Sequence, residues 1–227
     1  MPAPSEERRR SKRRRVVLSW IPISIVALIW VGIVVGVVAV QNSWWTQADP
    51  RPSTDQQASD GMSLFEPPGI DFLTHEGVVR VKVRADSLPA SQLGLDVDGT
   101  ETVEPRVPIS AVVLTADGAF NVELVKSFTI TTSDNQVTSV ELVQDGQGMW
   151  LTIYPQLQRI APSWGWTAQQ LEQLRIDLTT ASRDTTGPTY SATLPAVEHK
   201  GALASAEVTI DTDSGNVGLA FTVARLP

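Results

Sequence analysis

The sequence contains no cysteine and only two histidines. Without cysteine the chain can form no disulfide, no thiolate metal site, no thiol nucleophile and no lipidated cysteine. A domain of the size available here buries enough apolar surface to fold without disulfides. The absence therefore points away from a disulfide-rich secreted module and favours a bacterial cell-envelope protein.

Catalytic motifs are also absent. The chain has no Gly-x-Ser-x-Gly elbow, Walker loop, Rossmann glycine fingerprint, His-Glu-x-x-His motif or Ser-x-x-Lys set. His75 and His199 each stand next to a glutamate, but their spacing does not favour a metal site. We therefore predict a protein that is not an enzyme and that uses no metal and no cofactor. An unrecognised hydrolase is the least favoured alternative, because a pair of carboxylates needs no sequence motif.

One long stretch lacks charge altogether. Residues 16–40 carry no charged side chain, and sixteen of them are Val, Ile or Leu. As a helix they would measure about 38 Å, against a hydrocarbon thickness of about 30 Å. Trp20 lies near one end, and Trp44 and Trp45 follow the other, where aromatic belts form. The run is too long for a cleaved signal and no Ala-x-Ala site follows it, so we predict an uncleaved signal-anchor transmembrane helix.

The charge that is present is divided by this stretch. Residues 1–15 hold seven basic and two acidic side chains, whereas the rest of the chain holds eleven basic and twenty-three acidic ones. The positive-inside bias places residues 1–15 in the cytoplasm and the chain after the helix outside the cell membrane. Basic runs also occur in nucleic-acid-binding tails. Beside a transmembrane helix they attract anionic lipid instead, so we predict membrane lipids as partners and no nucleic acid.

Two glycines inside the predicted span form a Gly-x-x-x-Gly motif, Gly32 and Gly36. Small residues at this spacing allow two helices to approach closely. The motif predicts a transmembrane helix contact, either in a homodimer or with another membrane protein. The alternative is that these glycines face lipid or accommodate a kink.

The rest of the chain divides into a linker and a domain. Pro, Ser, Thr, Asp and Gln dominate residues 41–70, which predicts a flexible linker. Residues 71–227 carry period-two alternation, as at Val79, Val81 and Val83, and two Asp-Gly turn signals at 117–118 and 145–146. We predict a mainly β extracytoplasmic domain of about eight antiparallel strands, either a sandwich or a helix-capped α+β sheet.

Within this domain the pattern predicts one short helix. Thr167 and Gln170 have the spacing of a capping box, and strand-like alternation from Leu174 onwards predicts that the helix ends there. Residues 149–154 are predicted to be a strand that pairs around Asp145-Gly146. A short strand is predicted near residues 93–97.

Trp164 and Trp166 are the candidate ligand-binding residues, because they flank Gly165 in a predicted loop. If exposed, they could stack on sugar rings or on an apolar patch of a partner. If buried, they belong to the core at one end of the sheet.

Three further clusters have two interpretations each. Acidic residues in residues 96–101 and 211–213 could bind calcium, but Asp and Gly are also what hairpin turns require. The alternating basic residues Arg80, Lys82 and Arg84 could protect an edge strand or dock on anionic lipid or cell-wall polymer.

Taken together, these features predict a single-pass membrane-anchored protein that acts as a non-catalytic interaction or accessory module of the cell envelope. Its expected partner is another membrane or envelope protein that it meets close to the bilayer. The alternative from a different class is a membrane-tethered domain that binds a cell-wall glycan or another small ligand.

Overall fold

The computed structural model describes residues 56–144 and 148–227, which form nine β-strands and three α-helices. The strands are β1 Val78–Lys82, β2 Gly99–Val103, β3 Ile109–Thr115, β4 Gly118–Val125, β5 Ser127–Ser133, β6 Gln136–Gln144, β7 Thr189–His199, β8 Ala202–Asp211 and β9 Val217–Arg225. The helices are α1 Pro67–Glu76, α2 Trp150–Trp164 and α3 Ala168–Asp184. The predicted mainly β character of the domain is confirmed.

The predicted membrane segment, residues 16–40 with Gly32 and Gly36, lies outside the described residues. Of the helices within residues 56–144 and 148–227, none combines the length and the apolarity that crossing a bilayer requires.

The strands form two sheets, one of three strands in the order β1-β3-β4 and one of six in the order β2-β5-β6-β9-β8-β7. The six-stranded sheet is antiparallel throughout, as predicted. In the smaller sheet, however, β1 runs parallel to β3, with Val79 opposite Ala111. Parallel strands need a long crossover connection between them. The chain between β1 and β3 provides this connection, and on its way it contributes β2 to the other sheet.

A turn is present near the predicted signal at 117–118, where Thr115 faces Gly118 across Ala116 and Asp117. The signal at 145–146 lies outside the described residues. Another hairpin turn has Asp134 and Asn135 at its centre, both with the positive φ of a type I′ turn. β4 and β5 follow each other with only residue 126 between them, and there the chain passes from the small sheet to the large one.

The helices differ most from the sequence prediction. α1 contacts β1 of the small sheet, whereas α3 packs against β7 of the large sheet and against α2. α2 begins at Trp150, where a strand was predicted, because its buried residues recur at helical spacing: Ile153, Leu157, Ala161 and Trp164. α3 has the predicted Thr167–Gln170 capping box but continues ten residues beyond Leu174. The apparent alternation there was misleading because Ile176 is exposed, whereas Leu174 and Leu178 are buried.

The folded part also begins earlier than predicted. The expected linker boundary at residues 70/71 falls inside α1, and Met62 and Phe65 upstream of it are buried. Pro67 occupies the first turn of α1, where its fixed φ and missing N–H are compatible with a helix. Residues 93–97, predicted as a strand, instead contain the last residue of a short 3-10 helix, Ala90–Leu93, and the turn after it.

Candidate functional site

A cleft of about 410 Å³ opens on the described surface between β4 and α2. Leu157, Trp164, Leu219 and Phe221 contribute apolar atoms, with Val122 beside them. The half-buried Ile160 and several polar or exposed side chains complete the lining: Asn121, Glu123, Leu124, Gln144, Gln156 and Arg159. A mostly apolar interior with a few polar groups is what binding sites of this size generally have.

One wall of the cleft is the edge of β4 that pairs with no other described strand, because four consecutive residues of β4, 121–124, line the cleft. β4 is an outer strand of the small sheet. Thr115 and Gly118 flank a two-residue turn and so form a hydrogen-bonded pair. Hydrogen-bonded and non-hydrogen-bonded pairs alternate from this pair onwards. The main-chain N–H and C=O groups of Ala119 and Asn121 therefore point away from β3. We refer to this outward-facing main chain as the β4 edge.

Two side chains bind the β4 edge at its ends. Lys200 Nζ donates to the carbonyl oxygen of Ala119 at 2.8 Å, and its ammonium lies 4.8 Å from the centre of the Phe120 ring. At the other end, Gln144 Nε2 donates to the carbonyl oxygen of Glu123. Between them, the outward N–H and C=O of Asn121 have no partner among the described residues.

The rim of the cleft carries an unusual residue, Leu124. Its φ is +56°, a backbone conformation that residues other than Gly, Asn and Asp rarely adopt. Its side chain is 54% exposed although it is apolar. Leu124 lies where the register between β3 and β4 shifts, as at a β-bulge, and bulges are frequent next to functional sites.

Beneath the cleft lies an aromatic cluster that contains both predicted ligand-binding tryptophans. Trp164 and Trp166 are 2% and 3% exposed and stack on each other with ring centres 5.2 Å apart. Trp164 also packs against Phe120 at 4.7 Å and Phe221 at 4.9 Å. The indole N–H of Trp166 has no acceptor among the described residues. Neither ring offers its face to solvent, and only Trp164 reaches the wall of the cleft.

The basic stripe of β1 is neutralised by neighbouring carboxylates. Its three ion pairs are Arg80 with Glu76 at 2.9 Å, Lys82 with Asp60 at 2.6 Å, and Arg84 with Asp86. The arginine beside it holds the pKa of the Asp86 carboxyl below its ordinary value. A stripe whose charges are already paired has little left with which to attract an anionic polymer.

The acidic clusters serve turn geometry. Asp211 accepts hydrogen bonds from the backbone N–H and hydroxyl of Ser214, both at 2.7 Å, and these bonds lower the pKa of Asp211. Asp98 likewise accepts from the N–H of Asp134 at 2.7 Å. In the part of the chain that the structure describes, no three His, Asp or Glu side chains come together as metal ligands would.

No protein-family model matches the sequence, and no curated protein and no solved structure is significantly similar to it.

The sequence predicted one member of the cleft, Trp164, and missed the others. Asn121, Gln156 and Arg159 belong to no motif, and each would be ordinary on an exposed strand or helix. They become neighbours because α2 packs against β9 beside β4. These three elements are separated by up to about a hundred residues in the sequence. Recognising α2 as a helix would have placed Gln156, Ile160 and Trp164 along one side of it.

Proposed function

We propose that the chain is a single-pass membrane protein whose folded domain binds a segment of another membrane or envelope protein and catalyses no reaction. Residues 16–40 are the signal anchor in the cell membrane, and residues 1–15 are cytoplasmic. The domain works outside the membrane of a bacterial envelope, within reach of proteins beside it in the bilayer. The charge-free span and the division of charge on its two sides support this topology.

The observation that carries the binding role is the cleft itself. It combines an apolar interior with the main-chain groups of Asn121, which have no partner within residues 56–144 and 148–227 and with which an incoming polypeptide can form hydrogen bonds. Leu124 adds an exposed apolar side chain at the rim. Interfaces between proteins draw on both kinds of contact, apolar anchors at the centre and hydrogen bonds around them.

The lining offers little for catalysis. Among the described residues that line it, the only ionisable side chains are one carboxylate, Glu123, and one guanidinium, that of Arg159. A glycosidase needs two carboxylates, and an acyl-transfer enzyme needs a nucleophile beside a base. This composition supports binding rather than hydrolysis.

A second candidate is the binding of a cell-wall glycan or another small ligand. The side-chain amides of Asn121, Gln144 and Gln156 favour it, because amides both donate hydrogen bonds to hydroxyl groups and accept them. The buried tryptophans favour it less than their sequence suggested, since sugar stacking needs an exposed ring face.

The two candidates separate in a crosslinking experiment in intact cells. A photoreactive amino acid replaces Leu124 in the full-length chain, and a matched variant carries it at Leu151. Both leucines are exposed, at 54% and 86%, but Leu151 is outside the cleft lining. We expect a discrete protein adduct from position 124 and none from position 151. Equal adducts, or adducts with glycan alone from position 124, would contradict the proposal.

A further inference from the structure

We propose that the β4 edge takes up an extended peptide segment of the partner as an additional β-strand, seated between β4 and α2. The inference rests on the proposed function and names the part of the partner that the cleft recognises. Strand addition supplies affinity through main-chain hydrogen bonds and selectivity through the pockets that alternate side chains enter.

The other sheet edges in the described part of the chain are protected against such pairing. The β1 edge is covered, because Ser63 bonds to both main-chain groups of Arg80. β7 contains Pro195, which has no N–H, at a break in its register with β8. β2 is only five residues long and turns the carboxylate of Glu101 towards the same face as buried Val103. Short strands, prolines, inward charges and covering segments are the usual devices against edge pairing.

The β4 edge differs because its protection stops short of its centre. Lys200 and Gln144 bind the carbonyl groups of Ala119 and Glu123 and leave Asn121 between them. One residue of an added strand can therefore form a pair of hydrogen bonds with Asn121. The two flanking side chains limit the length over which a visiting strand can pair.

The cleft defines what such a segment would look like. Residues 121–123 are extended over about 10 Å before Leu124, whose positive φ interrupts the strand, so the segment in contact is about three residues long. Its side chains alternate in direction, and those that point inwards meet Leu157, Trp164 and Phe221. The described part of the rim has one charge of each sign, Glu123 and Arg159, and so favours neither an acidic nor a basic peptide. We infer an extended segment with apolar residues at alternate positions.

The test uses the full-length chain in detergent micelles and a phage-displayed library of random dodecapeptides. Selected peptides are synthesised, and their affinities are measured by fluorescence anisotropy. The deciding variant is Asn121→Pro, which removes the outward N–H and leaves the hydrogen bonds to β3 in place, since they come from neighbouring residues. Asn121→Ala changes the side chain and keeps the N–H.

We expect Asn121→Pro to weaken binding at least about tenfold and Asn121→Ala at most about threefold. Circular dichroism verifies that each variant is folded. If Asn121→Pro does not fold, hydrogen exchange decides on the parent chain: a bound peptide must slow exchange at the Asn121 amide.

Three outcomes would overturn the inference: no selected peptide, equal losses for both variants, or unchanged exchange at Asn121. If the photoreactive group at position 124 still captures a protein in cells, the proposed function stands and only strand addition fails. If it captures nothing, both fail.

Discussion

The two edges of the three-stranded sheet are treated in opposite ways. Along β1, the preceding chain lies against the strand, and the N–H of Arg80 donates to the Ser63 hydroxyl at 2.9 Å while its carbonyl accepts from the Ser63 N–H at 3.0 Å. Along β4, two side chains bind the ends of the edge and leave Asn121 between them.

This difference shows how one sheet can be both stable and available for binding. A buried main-chain group without a partner costs about 1–3 kcal/mol, so the covered β1 edge contributes to folding. A main-chain group that faces a solvent-filled cleft bonds to water and can exchange that water for a partner. The same strand geometry thus has a structural role on one side of the sheet and, in our proposal, a binding role on the other.

The largest effect on stability is expected in the aromatic cluster beneath the cleft. Trp164→Ala removes a buried ring that packs against Phe120 and Phe221, so we expect the free energy of unfolding to fall by about 3–5 kcal/mol. Urea unfolding of the full-length chain in micelles, followed by circular dichroism, measures it. A loss below about 1 kcal/mol would show that the ring is not part of the core. The aromatic cluster would then not support the cleft.

The covered edge provides the next test. Ser63→Ala leaves the Arg80 N–H without its hydroxyl acceptor, and we expect a loss of about 1–3 kcal/mol in the same unfolding assay. Ser191→Ala on the exposed face of β7 is the matched control, with an expected change within about 0.5 kcal/mol. If both variants lose the same amount, the segment before α1 does not protect β1, and the contrast between the edges disappears.

A smaller effect on stability is expected at the rim of the open edge. Leu124→Asn places a residue that tolerates positive φ where leucine is strained, while it removes some half-buried apolar surface. These effects oppose each other, so the free energy of unfolding should change by less than about 1 kcal/mol. Crosslinking from a photoreactive group at Ile160, which also lines the cleft, should nevertheless decrease several-fold. An undiminished crosslink would mean that Leu124 is exposed without contacting a partner.

The smallest effect concerns the inward carboxylate on the β2 edge. Burial, and secondarily the Asp96 carboxylate, raise the pKa of Glu101. Folding therefore favours its protonated form, and this stabilisation is complete below the ordinary glutamate pKa and is lost as pH rises through the raised value. Glu101→Gln should be more stable than the parent at neutral pH, and the advantage should shrink as pH falls. A difference that does not depend on pH would assign the effect to packing instead of charge.

Local chemistry made much of the domain predictable. The alternation at Val79 and Val81, the Asp117 turn and the Thr167–Gln170 capping box are each encoded within a few residues, and all are present in the structure. Burial of the tryptophan pair was one of two alternatives that the sequence left open. The start of α2 was missed because six residues are too few to distinguish period two from the helical period.

The cleft could not be predicted because no local pattern encodes it. It depends on β4 being an edge strand and on α2 lying opposite, both of which follow from the order of strands in the sheet. The parallel pairing of β1 with β3 was missed for the same reason, since hairpin signals report only on strands that are adjacent in sequence. The proposed membrane anchor, by contrast, is a property of composition alone and remains a prediction.

Amide hydrogen exchange on the full-length chain in micelles, without any added partner, tests the contrast between the two edges most directly. The Arg80 amide should exchange slowly, because it is bonded to Ser63 and opens only when the segment before α1 detaches. The Asn121 amide should exchange orders of magnitude faster, while its neighbour Val122, bonded to β3, stays protected. Protection of Asn121 equal to that of Arg80 would mean that the β4 edge is already closed, and it would contradict the proposal that this edge is where a partner binds.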